Sequence, residues 1–498
     1  MDRSKAHLAL TALRSFYEGD LDELLTRHLR TDLETAVLEF ARGVARDVPA
    51  YATFLERGAI SVETLRSFTD FGRLPPTTKE NYHRAFALNE LCRGGRLEGC
   101  DFVAVSSGST GEPSVWPRFV SDEMGTAVRF EQVLVDAMNV AKRRTLGVVC
   151  FALGTWVGGM YTTAACRHIA AKGYPITIAS PGNNVLEILR VVRTLGPSFD
   201  QIVLFGYPPF LKDVIDAGHA DGLDWRRHSV RLVTAGEVFS EEWRSLVSER
   251  LGQSDPASCT ASLYGTADGG VLANETPLSI RIRRFLADHP ARARELVGEA
   301  RLPTLCQYDP LHRYFEVEGD QLLFTGDGGA PLVRYNILDR GGLVDYGRMM
   351  AFMADCGNDP ASDLSAHRVR ELPFVYVFGR SNFALSLYGA NIYAENVVIG
   401  LERGEIARQV TGKFVMQITK TADENPRLHI TVELTAGATP DEELAGRVGR
   451  SIRAELERVN SEFLHYVPGE HRTPTIELLP RGHPEYFPVG VKHRYTRG

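Results

Sequence analysis

Leu146-Gly147-Val148-Val149-Cys150-Phe151 sets the frame of this 498-residue chain. A short apolar run closed by Leu153 and Gly154 reads as a fully buried strand entering a glycine turn, since a strand covered on both faces shows no alternation. A helix is expected over 162–172. The same alternation then repeats: strand 175–179 before helix 185–195, strand 201–205 before helix 208–217, and strand 230–234 before helix 240–251. Repeated strand-then-helix units predict a mostly parallel α/β sheet. Residues 145–166 carry no charge and include Gly154-x-x-x-Gly158, a spacing also found in membrane helices. Their glycine and threonine content suits a buried segment of a soluble protein better than a lipid-facing helix.

Toward the amino terminus, apolar residues recur at helical spacing, as in Leu21, Leu24, Leu25 and Leu29, then Leu33, Val37, Leu38 and Ala41. This predicts a helical lead-in over 1–95. Leu74-Pro75-Pro76-Thr77-Thr78-Lys79-Glu80 interrupts it with two prolines, after which Thr78 or Thr77 can cap a new segment. Toward the carboxyl terminus the texture changes near residue 370. Strands over 414–419 and 428–434, a helix over 441–463 and a last strand over 476–479 predict a small α+β unit. The expected division is therefore a large domain, 1–378, and a small one, 379–498.

With 44% hydrophobic and 24% charged residues the chain is globular, and a net charge of −7 supplies no basic field for nucleic acid. The seven cysteines form no C-x-x-C pair and suit free thiols in a reducing cytoplasm. The first residues contain no apolar secretion segment, so a cytoplasmic protein with no membrane partner is expected. A homodimer is left open.

Before the first unit lies Val105-Ser106-Ser107-Gly108-Ser109-Thr110-Gly111-Glu112-Pro113. Two glycines permit left-handed backbone and close approach, so successive N–H groups can converge on a phosphate while the hydroxyls add donors. The same composition also makes an ordinary hairpin connection.

Four further stretches follow this turn in a fixed order, and together they resemble the motifs of the adenylate-forming superfamily of acyl-CoA synthetases. They are Ala235-Gly236-Glu237; Tyr264-Gly265-Thr266-Ala267-Asp268; Arg334-Tyr335-Asn336-Ile337-Leu338-Asp339; and Gly379-Arg380-Ser381-Asn382 running on to Gly389-Ala390-Asn391-Ile392-Tyr393-Ala394-Glu395. Val48-Pro49-Ala50-Tyr51 and the Pro75-Pro76 segment are similar to the amino-terminal signature of the phenylacetate-CoA ligase branch. The resemblance implies a large multi-sheet α/β adenylation domain with a small mobile α+β domain behind it.

It also implies a reaction: a carboxylate attacks the α-phosphorus of ATP, pyrophosphate leaves, and the acyl-AMP passes its acyl group to an acceptor. Ser106, Ser107, Gly108, Ser109, Thr110 and Gly111 would hold the phosphates, with Asp268 and Thr110 serving Mg²⁺. Ala235, Gly236, Glu237, Tyr264, Gly265, Thr266, Arg334 and Asp339 would form the adenine and ribose site, with Tyr264 stacking on the base and Asp339 accepting from the ribose diol. Lys492 would stabilise charge at the α-phosphate, with Arg380 supporting the ribose and Asn382 at the hinge. Trp156, Val157, Gly158, Gly159 and Tyr161, with Tyr207, would wall the acid pocket, whose aromatic and glycine content favours a small aryl acid.

Several positions depart from the family pattern. Glu112 replaces the usual lysine of the phosphate loop, Ala267-Asp268 the usual Thr-Glu, Ile337-Leu338 the usual Thr-Gly, and Asn382 a charged hinge residue. This drift points to a specialised biosynthetic ligase. CoA, a carrier protein or an amine is the acceptor to be expected, and nitrite, for diazotisation of an arylamine, is an alternative acid. A degenerate nucleotide-binding module is the non-catalytic alternative. A serine hydrolase using Ser107 or Ser109 would lack the Gly-x-Ser-x-Gly elbow.

Overall fold

The computed structural model describes residues 3–105, 114–154, 157–299, 301–362, 364, 367–380, 384–388, 390–420, 425–488, 493, 495 and 496. The lead-in is helical: Arg3–Glu18, Leu21–Arg30, Leu33–Asp47 and Pro49–Arg57 follow one another. Asp20 caps the second by accepting from the N–H groups of Asp22 and Glu23, and Pro49 opens the fourth at a position where no N–H is needed. Val37, Leu38, Ala41 and Val44 form the buried stripe of the third helix and pack into one core with Leu322, Phe324 and Tyr335. Thr78, not Thr77, caps the helical turn Lys79–His83. Thr77 instead bridges in parallel to Tyr335, giving its N–H to the Arg334 carbonyl at 3.0 Å and taking the Asn336 N–H at 2.8 Å.

Among the described residues the main sheet has eleven strands, ordered Tyr314–Glu318, Gln321–Gly326, Leu332–Val344, Phe374–Arg380, Thr304–Gln307, Gly270–Asn274, Thr260–Thr266, Val230–Ala235, Gln201–Gly206, Thr145–Val149, Ile176–Ala179. The last five are mutually parallel and every other pairing is antiparallel. The mostly parallel expectation thus holds for one half only. Parallel pairing needs a long crossover, and the turn between Thr266 and Gly270 is too short to supply one.

The first unit also differs from its sequence reading. Its strand is Thr145–Val149, and its helix begins at Val157, so Gly158 and Gly159 lie in the first helical turn. The turn falls on Gly154, at φ +96°. Gly159 has to be glycine for packing: a Cβ there would lie 2.2 Å from the Ala152 carbonyl oxygen. No helix among the described residues is long and apolar enough to cross a membrane.

Phe102–Val105 and Val115–Arg118 pair antiparallel with Val105 opposite Val115, so the glycine turn connects a hairpin. Its own residues, Ser106 to Pro113, lie outside the described residues, as do Trp156, Asn382 and Lys492.

The carboxy-terminal part holds the antiparallel strands Val410–Lys420 and Pro426–Leu434, with Thr475–Leu479 parallel to the second. The expected single helix is two, Glu442–Val459 and Ser461–Tyr466, because Asn460 leaves the helical conformation and caps the second by accepting from the Phe463 N–H. An apolar core running from Leu387 to Leu478 is assembled within this part alone.

Candidate active site

Strand Thr145–Val149 lies between Ile176–Ala179 and Gln201–Gly206, so the crossovers on its two sides run in opposite directions, and α/β sheets take ligands beyond the strand carboxyl ends at such a switch point. Phe151 and Tyr207 meet there edge to face, 4.9 Å apart at 82°. Two glycines fit around Tyr207. A Cβ on Gly158 would lie 3.5 Å from its hydroxyl, and a Cβ on Gly236 would lie 2.7 Å from its ring. Gly236 also needs φ +82°. Tyr207 therefore joins the expected acid wall to the expected adenine segment. Burial, with a lesser contribution from the charge of Glu237, pushes its hydroxyl up to about 12. Tyr161 is buried and stacks on Phe102 at 5.9 Å, beside the glycine turn, whereas Gly159 faces the Ala152 backbone.

The neighbouring strands carry the stretches expected to bind the nucleotide at their carboxyl ends, with Ala235 in register with Leu263. Tyr264 stacks on Phe315 at 6.3 Å and 20° and gives its hydroxyl proton to Asp339 Oδ2 at 2.7 Å. Asp339 is buried and stands in register with Arg380 across the strand pair. Arg340 turns elsewhere, to Asp320 at 2.6 Å and Glu299 at 3.0 Å. Arg334 is not aligned with this group. Its guanidinium bonds Glu316 at 3.1 Å, Glu318 at 3.4 Å and the Leu74 carbonyl, clamping the lead-in to the sheet.

Thr266 accepts the Gly269 N–H at 2.9 Å and so shapes the turn that presents Asp268. Gly265 permits the close pairing: a Cβ would lie 2.8 Å from the Gly270 carbonyl. Asp268 is 4% exposed. Tyr335 donates to its Oδ2 at 2.9 Å, the Lys79 ammonium lies 3.4 Å from its Oδ1, and Arg118 donates to its backbone carbonyl at 3.0 Å. Sequence reasoning gave none of these three partners a chemical role. Lys79 lies within the quoted proline segment, but nothing local to it announces a carboxylate so distant in the chain.

A single buried carboxylate has the donor chemistry Mg²⁺ takes when phosphates and water complete its shell. The residues present fit the ion, provided the Lys79 ammonium, which faces the same carboxylate, yields the position.

The carboxyl-terminal segment reaches this region. His493 Nε2 bonds the Phe414 carbonyl at 2.6 Å, the Met416 N–H bonds the Tyr495 carbonyl at 2.7 Å, and Tyr495 donates its hydroxyl to Glu237 Oε2 at 2.5 Å. Burial holds the His493 ring down at about 4. Elsewhere Lys413 pairs with Asp213 at 3.1 Å, and Ser240 donates its N–H to Glu402 at 3.2 Å and also its hydroxyl. Burial pushes the Glu402 carboxyl up to about 8.

No family model matches the sequence, and no curated protein does. Solved structures do match in fold. One is a 2-hydroxyisobutyryl-CoA ligase in the postadenylation state in complex with R3-HIB-AMP, at TM-score 0.66 and 14% identity over 93% of this chain and 88% of that one. Another is the same ligase in complex with 2-HIB-AMP and CoA in the thioesterification state, at TM-score 0.53 and 15% identity over 93% of this chain and 88% of that one. The fold is therefore that of the adenylate-forming enzymes. The motifs read along the sequence fall in this fold on the carboxyl ends of its strands and on the strand pair that joins Asp339 to Arg380.

Proposed function

We propose that the chain is an ATP- and Mg²⁺-dependent ligase that adenylates a small, aromatic carboxylic acid, releases pyrophosphate, and passes the acyl group to a thiol or amine acceptor. The observation that carries the reading is the Tyr264–Asp339 hydrogen bond: it puts a flat ring and a buried carboxylate side by side, a pair suited to meet a base and a ribose diol. Asp268 would hold Mg²⁺, which would neutralise the leaving pyrophosphate. Tyr207, Gly158 and Tyr161 would bound the acid, and Lys492 would stabilise charge at the α-phosphate. Tyr495, three residues beyond Lys492, supports this assignment through its bond to Glu237 of the adenine segment. Phenylacetate-CoA ligases are the branch to which the amino-terminal signature points.

A second reading, adenylation of an acid as small as nitrite, is favoured by Tyr207, whose ring and hydroxyl take up the space between Gly158 and Gly236. One experiment separates the readings: pyrophosphate release with a panel of aryl acids, with and without CoA, and with nitrite plus an arylamine. Release with an aryl acid supports the first, and release with nitrite alone supports the second. ATP binding without release under any condition would leave a non-catalytic nucleotide-binding module.

A further inference from the structure

Glu123, His168 and Tyr17 form a chain of two short hydrogen bonds where three helices meet. Tyr17 is the penultimate residue of Arg3–Glu18, Glu123 lies in the first turn of Val120–Asp136, and His168 lies in the last turn of Val157–Ala171. His168 Nε2 is 2.6 Å from Glu123 Oε1, and His168 Nδ1 is 2.6 Å from the Tyr17 hydroxyl oxygen. A carboxylate only accepts, so the hydrogen of the neutral ring sits on Nε2. The Nδ1 lone pair is left to face the phenol, which donates to it.

This is the order of an acid–base–nucleophile triad: a carboxylate orients an imidazole, and the imidazole is placed to take the proton of a hydroxyl. Holding the first helix in place does not require it. Phe16 does that by burial, 3% exposed and in one core with Met124 and Ile169. Lys172, one turn beyond His168, does not draw Glu123 away, because Glu131 takes its ammonium at 2.8 Å. The group is also open to solvent. His168 and Glu123 keep 24% and 22% of their side chains exposed, and Tyr17 is half-buried. Burial, and after it the charge of Glu123, raise the Tyr17 phenol above its ordinary value. Free phenolate is therefore scarce, and a base has to take the proton as a new bond forms.

We infer that Tyr17 is a covalent acceptor site for acyl groups carried on weakly basic leaving groups, such as a mixed anhydride of a carboxylic acid and phosphate, with His168 as its general base and Glu123 orienting that base. In the step, the Tyr17 oxygen bonds the acyl carbon, the bond from that carbon to the leaving oxygen breaks, and the phenol proton passes through His168 Nδ1 to the leaving group. The product is an O-acyl tyrosine. No adenylating activity is needed, because the donor is supplied ready-made.

The test treats the full chain with acetyl phosphate and follows the acetylation of each tyrosine by peptide mass mapping over time. Tyr466, 58% exposed, is the internal reference. Tyr17 is expected to react about tenfold faster than Tyr466 or more, in spite of its lower exposure. His168→Gln still accepts the phenol hydrogen bond but is no base, and it should slow Tyr17 about a hundredfold while leaving Tyr466 unchanged. Glu123→Gln, which loosens the hold on the imidazole, should slow Tyr17 by a smaller factor and reads the same dependence if His168→Gln fails to fold. Tyr17 reacting no faster than Tyr466, or as fast in both variants as in the native protein, would overturn the inference and leave the three residues a structural hydrogen-bond chain.

Discussion

Tyr264 and Asp339, 75 residues apart in the chain, are joined by a 2.7 Å hydrogen bond. The tyrosine comes from the last parallel strand and the carboxylate from the antiparallel half, so the bond spans the place where the sheet changes direction. Asp339→Asn keeps the shape and removes the charge that would accept from a ribose diol. A charged hydrogen bond contributes about 1.5–3 kcal/mol, so kcat/KM for ATP should fall roughly ten- to a hundredfold. Pyrophosphate release followed against ATP concentration reads this directly, and an unchanged KM would remove Asp339 from the nucleotide site.

On the proposed function, Lys79 and a divalent cation would compete for Asp268. Lys79→Met leaves a buried carboxylate with the Tyr335 hydroxyl on one oxygen and no ammonium on the other, at an expected loss of about 1.5–3 kcal/mol of stability. Millimolar Mg²⁺ should recover more of the thermal stability in the variant than it adds to the native protein. Equal Mg²⁺ responses would show that the ion binds elsewhere.

Lys492→Ala should slow adenylation by about 10² to 10³, the loss expected for one preorganised charge at a transition state. Tyr495→Phe keeps the packing on Phe414 but frees the segment from Glu237. It should lower the rate of pyrophosphate release about tenfold while leaving ATP affinity near native. A change in ATP affinity alone would mean that Tyr495 serves the base and not the segment that carries Lys492.

Glu402 sets a pH dependence. Burial raises its carboxyl to about 8 in the folded chain, from an ordinary value near 4.5, opposed by the Ser240 hydrogen bonds and assisted by the charge of Glu242. The folded state therefore binds the extra proton between these values. Its contribution is fully present below about 4.5 and is lost as pH rises toward about 8. Glu402→Gln, which resembles the protonated form, should stabilise the protein progressively between pH 5 and 8, with no further gain above. Melting temperatures of both proteins across that range check it. A constant difference would place the Glu402 carboxyl at its ordinary value.

The parallel half was legible because each of its strands is a short apolar run followed by an amphipathic helix, a pattern that repeats from 201 to 250 within a few residues of the observed bounds. The antiparallel half was not, since Gly270–Asn274 and Thr304–Gln307 are too short to display a period and their direction depends on a tight turn. Gly158 and Gly159 were read as pocket wall ahead of a helix expected from 162, yet the helix starts at Val157 and close approach to Ala152 and Tyr207 retains both glycines inside it. At the site, motif order identified Tyr264, Asp268 and Asp339 as a set. The partners of Asp268 could not be read, because Lys79 and Tyr335 are brought to it by tertiary pairing that leaves no local pattern.

The bridge from Thr77 to Tyr335 binds the fate of the lead-in to that of the site. Two residues on from Thr77 stands Lys79, and opposite it Tyr335, so one point of backbone pairing delivers both groups that hold Asp268. A shortened version begun after residue 95 would keep every strand of the main sheet and still lose this grip. What looks like a helical preface is a working part of the protein's interior, and engineered chimeras that exchange it carry the electrostatics of Asp268 along with it.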